Sequence, residues 1–353
     1  MAIQTVADIE VRPTAPRLSL RIRVLVAFVC LSVGGAATYL LHNTKATEPP
    51  DSKTPAAVET AAIPIHQTPN VQTPFKQPAS LEELLAVQTA NLGKVDLALM
   101  NLLCAEGLPG SEGLSISQYL ATLDEWTGKI KMNIDHYYED FLRDPQRSHT
   151  VAEYRMMMIM NVLGPKGYGI HYDETLATAE YGADPAKEKS ISGTPTGKLG
   201  ADSYAQSDLY FINGLLGSKH SGTCSSLPIL VAVVAQRLGY PVTLVTAFRH
   251  MFVRWDDGKE RFNIETTVTG GLQVVSDYEY RQWPKPLTGE MIAAEGYLQS
   301  QSPAQLLANF LYDRIACLLA NGQTKEAEKL RQKCLELVPS SIKYRKLPDL
   351  SNP

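Results

Sequence analysis

Hydrophobic and polar positions along the chain change pattern several times, and each change marks a boundary. From Val24 to Leu41 (VLVAFVCLSVGGAATYLL) eighteen residues pass without a charge. At about 1.5 Å per residue, that run is long enough to cross roughly 30 Å of hydrocarbon as a helix. Between Glu48 and Pro78 the apolar pattern stops, and seven prolines stand among Thr, Ala, Gln and Ser. Such a segment buries too little apolar surface to offset its ordering entropy, which predicts a semi-extended tether over 42–79. Helical periodicity begins at Ser80, where Ser80-Leu81-Glu82-Glu83 reads as a capping box. It runs through Leu84, Val87, Leu92 and Leu97 to Leu103. A second amphipathic helix is expected over Ile116 to Phe141 and a third over Val151 to Val162. Residues 80–163 are thus predicted to form a helical portion.

Glycines, Ser, Thr, Pro and tyrosines without clear period fill Gly164 to Ser207, which predicts long loops. Asp208 to Leu216 is a short apolar stretch. Gly222-Thr223-Cys224 then leads into SSLPILVAVVAQRL, a strongly apolar helix that should stop at Gly239. Val242 to Trp255 has strand composition, Asp257-Gly258 is a hairpin signal, and Arg261 to Val268 returns as the second strand. Pro303 to Ala320 and Thr324 to Val338 read as two helices joined at Asn321-Gly322. Gly322, Ala327 and Pro339 there follow the spacing of a tetratricopeptide repeat. One such unit is too few for a solenoid, so 301–345 is expected to close on a core over 164–300 as a helical hairpin.

Charge adds direction. Arg17, Arg21 and Arg23 precede the apolar run and only Lys45 follows closely, so residues 1–23 are expected in the cytoplasm and the bulk of the chain outside it. The rival is a cleaved signal peptide, with Gly34 to Ala37 as small residues near its end. An uncleaved anchor over 24–41 is favoured, because the run continues through Tyr39, Leu40 and Leu41 after a long polar preface. The 33 basic and 37 acidic residues are spread along the chain. With no basic stripe, nucleic acid is not an expected partner. Five cysteines without a CxxC pair read neither as a zinc site nor as a disulfide framework. A Cys317–Cys334 bridge is conceivable across the terminal helices in an oxidising compartment. His171 and His220 are isolated and read as loop residues, and no metal or other cofactor is expected. Cys104 reads as core, Trp283 as buried packing or a groove wall, and the Gly110–Gly113 run as a loop.

One group of residues carries chemistry. Cys224 is expected at or near the first turn of its helix, where free N–H groups and the positive end of the dipole favour a nucleophilic sulfur. Alone, a cysteine in an apolar helix is more often a small core hydrophobe. His250 changes that weighing. It shares a strand face with Phe248 and Phe252. A two-residue turn at Asp257-Gly258 would set it directly opposite Glu265, about 5 Å away at Cβ, with Met251 facing Ile264 and Val253 facing Phe262. An acid beside an imidazole fixes its tautomer and raises its basicity. The same register sets Arg254 against Arg261, a like-charge pair needing relief from Asp256 or Glu260.

Cysteine at a helix start, histidine on a strand and acid on the next strand resemble the transglutaminase-like superfamily. More narrowly, MNLLCAEGLPG (Met100 to Gly110), GTCSSLPIL (Gly222 to Leu230), HMFVRWDD (His250 to Asp257) and RFNIETT (Arg261 to Thr267) resemble the bacterial SirB family of transglutaminase-like proteins over about residues 80–345. That resemblance implies an α+β fold with a papain-like core, a helical first portion and a tetratricopeptide-type tail. It implies Cys224 as nucleophile, His250 as its base and Glu265 in the place usually held by aspartate. The oxyanion hole would use the Cys224 N–H and a second donor, for which Asn213 is a candidate. The expected activity is thiol acyl transfer on peptide or protein amides, as a peptidase, amidase or cross-linker. The alternative is a non-catalytic binding or scaffold module whose C-terminal helices dock a protein partner.

Overall fold

Side-chain oxygens of Ser80, Asp96, Thr150, Ser276, Thr288 and Ser302 each accept a hydrogen bond from the backbone N–H three residues on, and these caps decide where most helices start. A computed structural model describes residues 75–144, 148–173, 204–268, 271–283 and 285–345. The expected tail, the apolar run over 24–41 and the linker up to residue 74 lie outside the described residues. Among the described residues, no helix is long and apolar enough to cross a membrane.

The fold mixes helix and sheet. The helices are α1 (Leu81–Ala86), α2 (Leu97–Ala105), α3 (Ile116–Arg143), α4 (Val151–Leu163), α5 (Ile212–Leu216), α6 (Leu227–Arg237), α7 (Asp277–Gln282), α8 (Gly289–Glu295), α9 (Pro303–Ala320) and α10 (Thr324–Leu337). The strands are β1 (His171–Tyr172), β2 (Ser221–Gly222), β3 (Val242–Ala247), β4 (His250–Asp256), β5 (Arg261–Glu265) and β6 (Gln273–Val275). β1 and β2 form a short parallel pair. The other four form an antiparallel meander in the order β3-β4-β5-β6.

The first helical stretch is interrupted where one run was expected. α1 stops at Ala86, a 3₁₀ turn covers Thr89–Lys94, and Asp96 caps a new helix by accepting from Leu99 N–H at 2.9 Å. α6 is apolar on every side, as suits a helix enclosed all round. Its residues Leu227 to Ala235 are buried, and it packs on β3 and β4 on one side and on α2, α3, α4 and α5 on the other. Gly239 ends it with φ +76°, a conformation that suits glycine. The C-terminal hairpin docks through α9 on α2, and buried Arg314 donates to the Cys104 and Glu106 carbonyls at 2.9 and 2.7 Å. A guanidinium there satisfies carbonyls that the end of α2 leaves open. The helical portion, the sheet and this hairpin share one hydrophobic core.

The strand expected over Val242 to Trp255 is a hairpin. It turns at Phe248-Arg249, Ala247 faces His250, and Phe248 leaves the strand face it was expected to share. The next connection also differs. β4 and β5 are joined by Asp257–Glu260 rather than by two residues, so Val253 faces Ile264, Arg254 faces Asn263 and Trp255 faces Phe262. Asp257 explains the longer loop: its Oδ1 accepts from the N–H groups of Lys259 and Glu260 at 2.8 and 2.7 Å. The register is shifted by two residues, which leaves every side chain on its expected face. Arg254 and Arg261 no longer face each other, and both reach Asp277. Arg254, fully buried, donates to Asn263 Oδ1 at 2.7 Å and Leu298 O at 3.0 Å and pairs with Asp277.

Candidate active site

Cys224 lies in the turn just ahead of α6, whose N-cap is Ser226. Helix-type bonding already begins there. Leu227 N–H donates to Thr223 O at 3.0 Å, and Ser225 N–H to Thr223 Oγ1 at 3.1 Å. Three side-chain contacts fix the turn. Ser226 Oγ accepts from Thr223 N–H at 3.0 Å and donates to Leu209 O at 2.8 Å, and Thr223 Oγ1 donates to the same carbonyl at 3.2 Å. Gly222 is required by space, because a Cβ there would stand 2.3 Å from Ser226 Oγ and 2.8 Å from Leu215 Cδ2. The small residues of GTCSS thus clamp the cysteine turn onto the 3₁₀ segment Ser207–Leu209. Among the described residues the Cys224 N–H meets no acceptor.

The sulfur of Cys224 is partly exposed and meets two groups. It lies close enough to the His250 imidazole to raise the ring's basicity and donates to the Arg249 carbonyl at 3.7 Å. Arg249 holds φ +56°, a left-handed conformation that a non-glycine residue adopts at a cost. That turn residue sets both its own carbonyl and the first residue of β4 against the sulfur.

His250 and Glu265 are both buried, and His250 Nε2 lies 2.7 Å from Glu265 Oε2. With Nε2 so engaged, Nδ1 is left for the thiol. On the observed register Glu265 falls opposite Phe252, so His250 is its diagonal neighbour. That separation is about 7–8 Å between backbones, and the longer side chain of glutamate spans it. Glu265 is held at every lone-pair direction. Oε2 also accepts from Tyr280 OH at 2.8 Å, and Oε1 accepts from Thr267 N–H at 2.9 Å and Thr267 Oγ1 at 2.7 Å. Burial acts against the charge on both members of the pair. The Glu265 charge and the hydrogen bonds to Cys224 and Glu265 overcome it and raise the basicity of His250. Burial would raise the Glu265 carboxyl, yet the His250 charge and the bonds from His250 and Thr267 hold it below the usual carboxylate range. The site therefore carries an imidazolium–carboxylate pair with the sulfur on its open side.

Other sequence expectations resolve as follows. Asn213, on α5, is buried and donates to Ser111 Oγ at 3.0 Å; its contacts do not include Cys224. Trp283 is buried and packs with Val245, Phe252 and Tyr280. It meets His250 edge-on at 5.1 Å, which shields the ring from water. His171 Nδ1 contacts Gly169 O at 2.8 Å, while the His220 ring meets Trp126 edge-on at 6.1 Å. Among the described residues no group of three His, Cys, Asp or Glu could hold a metal. Cys104, Cys317 and Cys334 are buried free thiols, so Cys317 and Cys334 are not bridged.

Tyr280 and Thr267, which complete the carboxylate's shell, were not singled out by the sequence. Thr267 carries a faint signal, since a hydroxyl two residues after an acid can fold back on it. Tyr280 carries none, because α7 reaches the site only through the β6 turn. Comparison with protein-family models and with curated proteins finds no match to this chain.

Proposed function

We propose that this protein is a membrane-anchored, cysteine-dependent acyl-transfer enzyme that acts on peptide or protein amides outside the cytoplasm. The observation that carries this reading is the convergence of the Cys224 sulfur, the His250 ring and the Glu265 carboxylate from three separate elements. Its order along the chain, a cysteine turn, helix, histidine strand and acid strand, supports a papain-like, transglutaminase-like core of the SirB type, preceded by a helical bundle and closed by the C-terminal hairpin. The apolar run over 24–41, with arginines before it, supports the anchor and its orientation.

In the reaction, the Cys224 sulfur, its proton already held on His250 Nδ1, attacks the amide carbonyl carbon. A C–S bond forms, and the Cys224 N–H is available to the oxyanion. The C–N bond then breaks as His250 returns the proton to the leaving amine. Water, or another amine, next attacks the thioester carbonyl. His250 takes its proton, the C–S bond breaks and the sulfur is left free beside the protonated ring. Glu265 stays ionised throughout, holding the ring's orientation and tautomer while Tyr280 and Thr267 hold Glu265.

The test is turnover of a library of peptides and cell-wall fragments by the full chain, with mass detection of hydrolysed and amine-exchanged products. Turnover should be lost in Cys224→Ser. Products that persist in Cys224→Ser, or no turnover of any amide by the wild type, favour the binding-module reading.

A further inference from the structure

The turn between β3 and β4 brings two cations to the rim of the site. Arg249 O lies 3.7 Å from the Cys224 sulfur. The Arg249 side chain branches from the backbone atom next to that carbonyl, which keeps its guanidinium on the order of 10 Å from the sulfur, about one Debye length. That guanidinium lies 5.6 Å from the centroid of the Phe248 ring, and the Lys285 ammonium lies 5.2 Å from the same centroid. Lys285 stands two residues after Trp283, whose ring meets His250 edge-on at 5.1 Å. Both cations are exposed, and Phe248 is half-buried. One aromatic ring beside the catalytic cysteine thus carries two positive charges.

Among the described residues neither Arg249 nor Lys285 forms an ion pair. Two other charge pairs at the site are closed. His250 meets Glu265 at 2.7 Å, and Asp208, next to the Leu209 carbonyl that anchors the cysteine turn, pairs with Lys219. Like charges that share a ring repel each other, and an anion within reach of both relieves that repulsion. Resting on the acyl-transfer reading above, we propose that the cleft selects amides bearing a carboxylate on the Phe248–Arg249 side of the scissile bond, held by Arg249 and Lys285. Arg249 offers a planar fork of N–H donors to that carboxylate and Lys285 a point charge. Phe248 offers its ring to the neighbouring carbon atoms of the substrate. Because the carbonyl of Arg249 is pinned beside the sulfur with φ +56°, the residue that binds the carboxylate also fixes its distance from the reacting carbon.

Charge-bearing thiol reagents test this without knowledge of the substrate. The full chain is labelled at neutral pH with sulfonatoethyl, methyl and trimethylammonium-ethyl methanethiosulfonates. Labelling of Cys224 is followed by peptide mass mapping, and each rate is normalised to that of a small free thiol. The anionic reagent should exceed the cationic one by about tenfold. The ratio is taken within each protein, so a general change in thiol reactivity cancels. Arg249→Gln and Lys285→Gln should each lower the ratio, the double variant should bring it to about one, and Arg249→Lys should keep most of it. A wild-type ratio at or below one, or a ratio unchanged in the double variant, overturns the proposal while leaving acyl transfer intact. A neutral-reagent rate as slow as that of a buried thiol, and indifferent to His250→Ala, overturns acyl transfer and this proposal with it.

Discussion

Alanine in place of His250 slows alkylation of Cys224 by iodoacetamide at pH 6.5 by about a hundredfold or more, the span over which a positioned general base acts. Two groups meet the sulfur, the imidazole and the Arg249 carbonyl, and only the imidazole can take a proton. Burial disfavours a charged ring, but the Glu265 carboxylate more than restores its basicity. Removing the ring therefore removes the one base among the described residues that meets the sulfur. Peptide mapping supplies internal controls, because Cys104, Cys317 and Cys334 are buried and burial pushes their thiols up. They should label slowly in both proteins. Equal Cys224 rates in wild type and His250→Ala would contradict the assignment of His250 as base.

Glu265→Gln is expected to cost about 3–5 kcal/mol of stability, the usual penalty for removing one partner of a buried ion pair. In a domain of this size that lowers the melting temperature by on the order of 10 °C. The pH dependence separates this from a mere packing defect. Glu265 is held below its ordinary value of 4.5, so its contribution is fully present above that pH and fades as pH falls toward the lower folded value. His250 is held above its ordinary 6.5, so its contribution is full below that pH and fades as pH rises toward the higher folded value. The gap between wild type and Glu265→Gln should thus be widest between pH 4.5 and 6.5 and narrow on both sides. A gap that does not vary with pH in thermal melts would show that the pair is not ionised in the folded protein.

The three residues of the site were legible in the sequence because each follows a local rule. A cysteine behind Gly-Thr before an apolar run marks a helix start, and alternation in β4 and β5 fixes which side chains share a face. The face survived although the register did not. The loop after Asp256 is closed by Asp257 capping two N–H groups, and a shift of two residues leaves side-chain parity untouched. The turn at Phe248-Arg249 was hidden because Arg249 takes a left-handed conformation with no glycine to announce it. The Tyr280 contact to Glu265 was not legible, since α7 reaches the site only through tertiary packing. The first helical run failed for a different reason. Leucine spacing continues across Val87 to Asp96, and only the cap at Asp96 reveals the break.

The central claim is that Cys224 carries an acyl group during turnover, and a pre-steady-state measurement with p-nitrophenyl acetate addresses it most directly. A rapid release of one nitrophenolate per chain is expected, followed by a slower phase, with the acetyl group found on Cys224 by mass mapping and the burst absent in His250→Ala. A linear release without a burst, or acetylation spread over other residues while Cys224 stays free, would contradict the account.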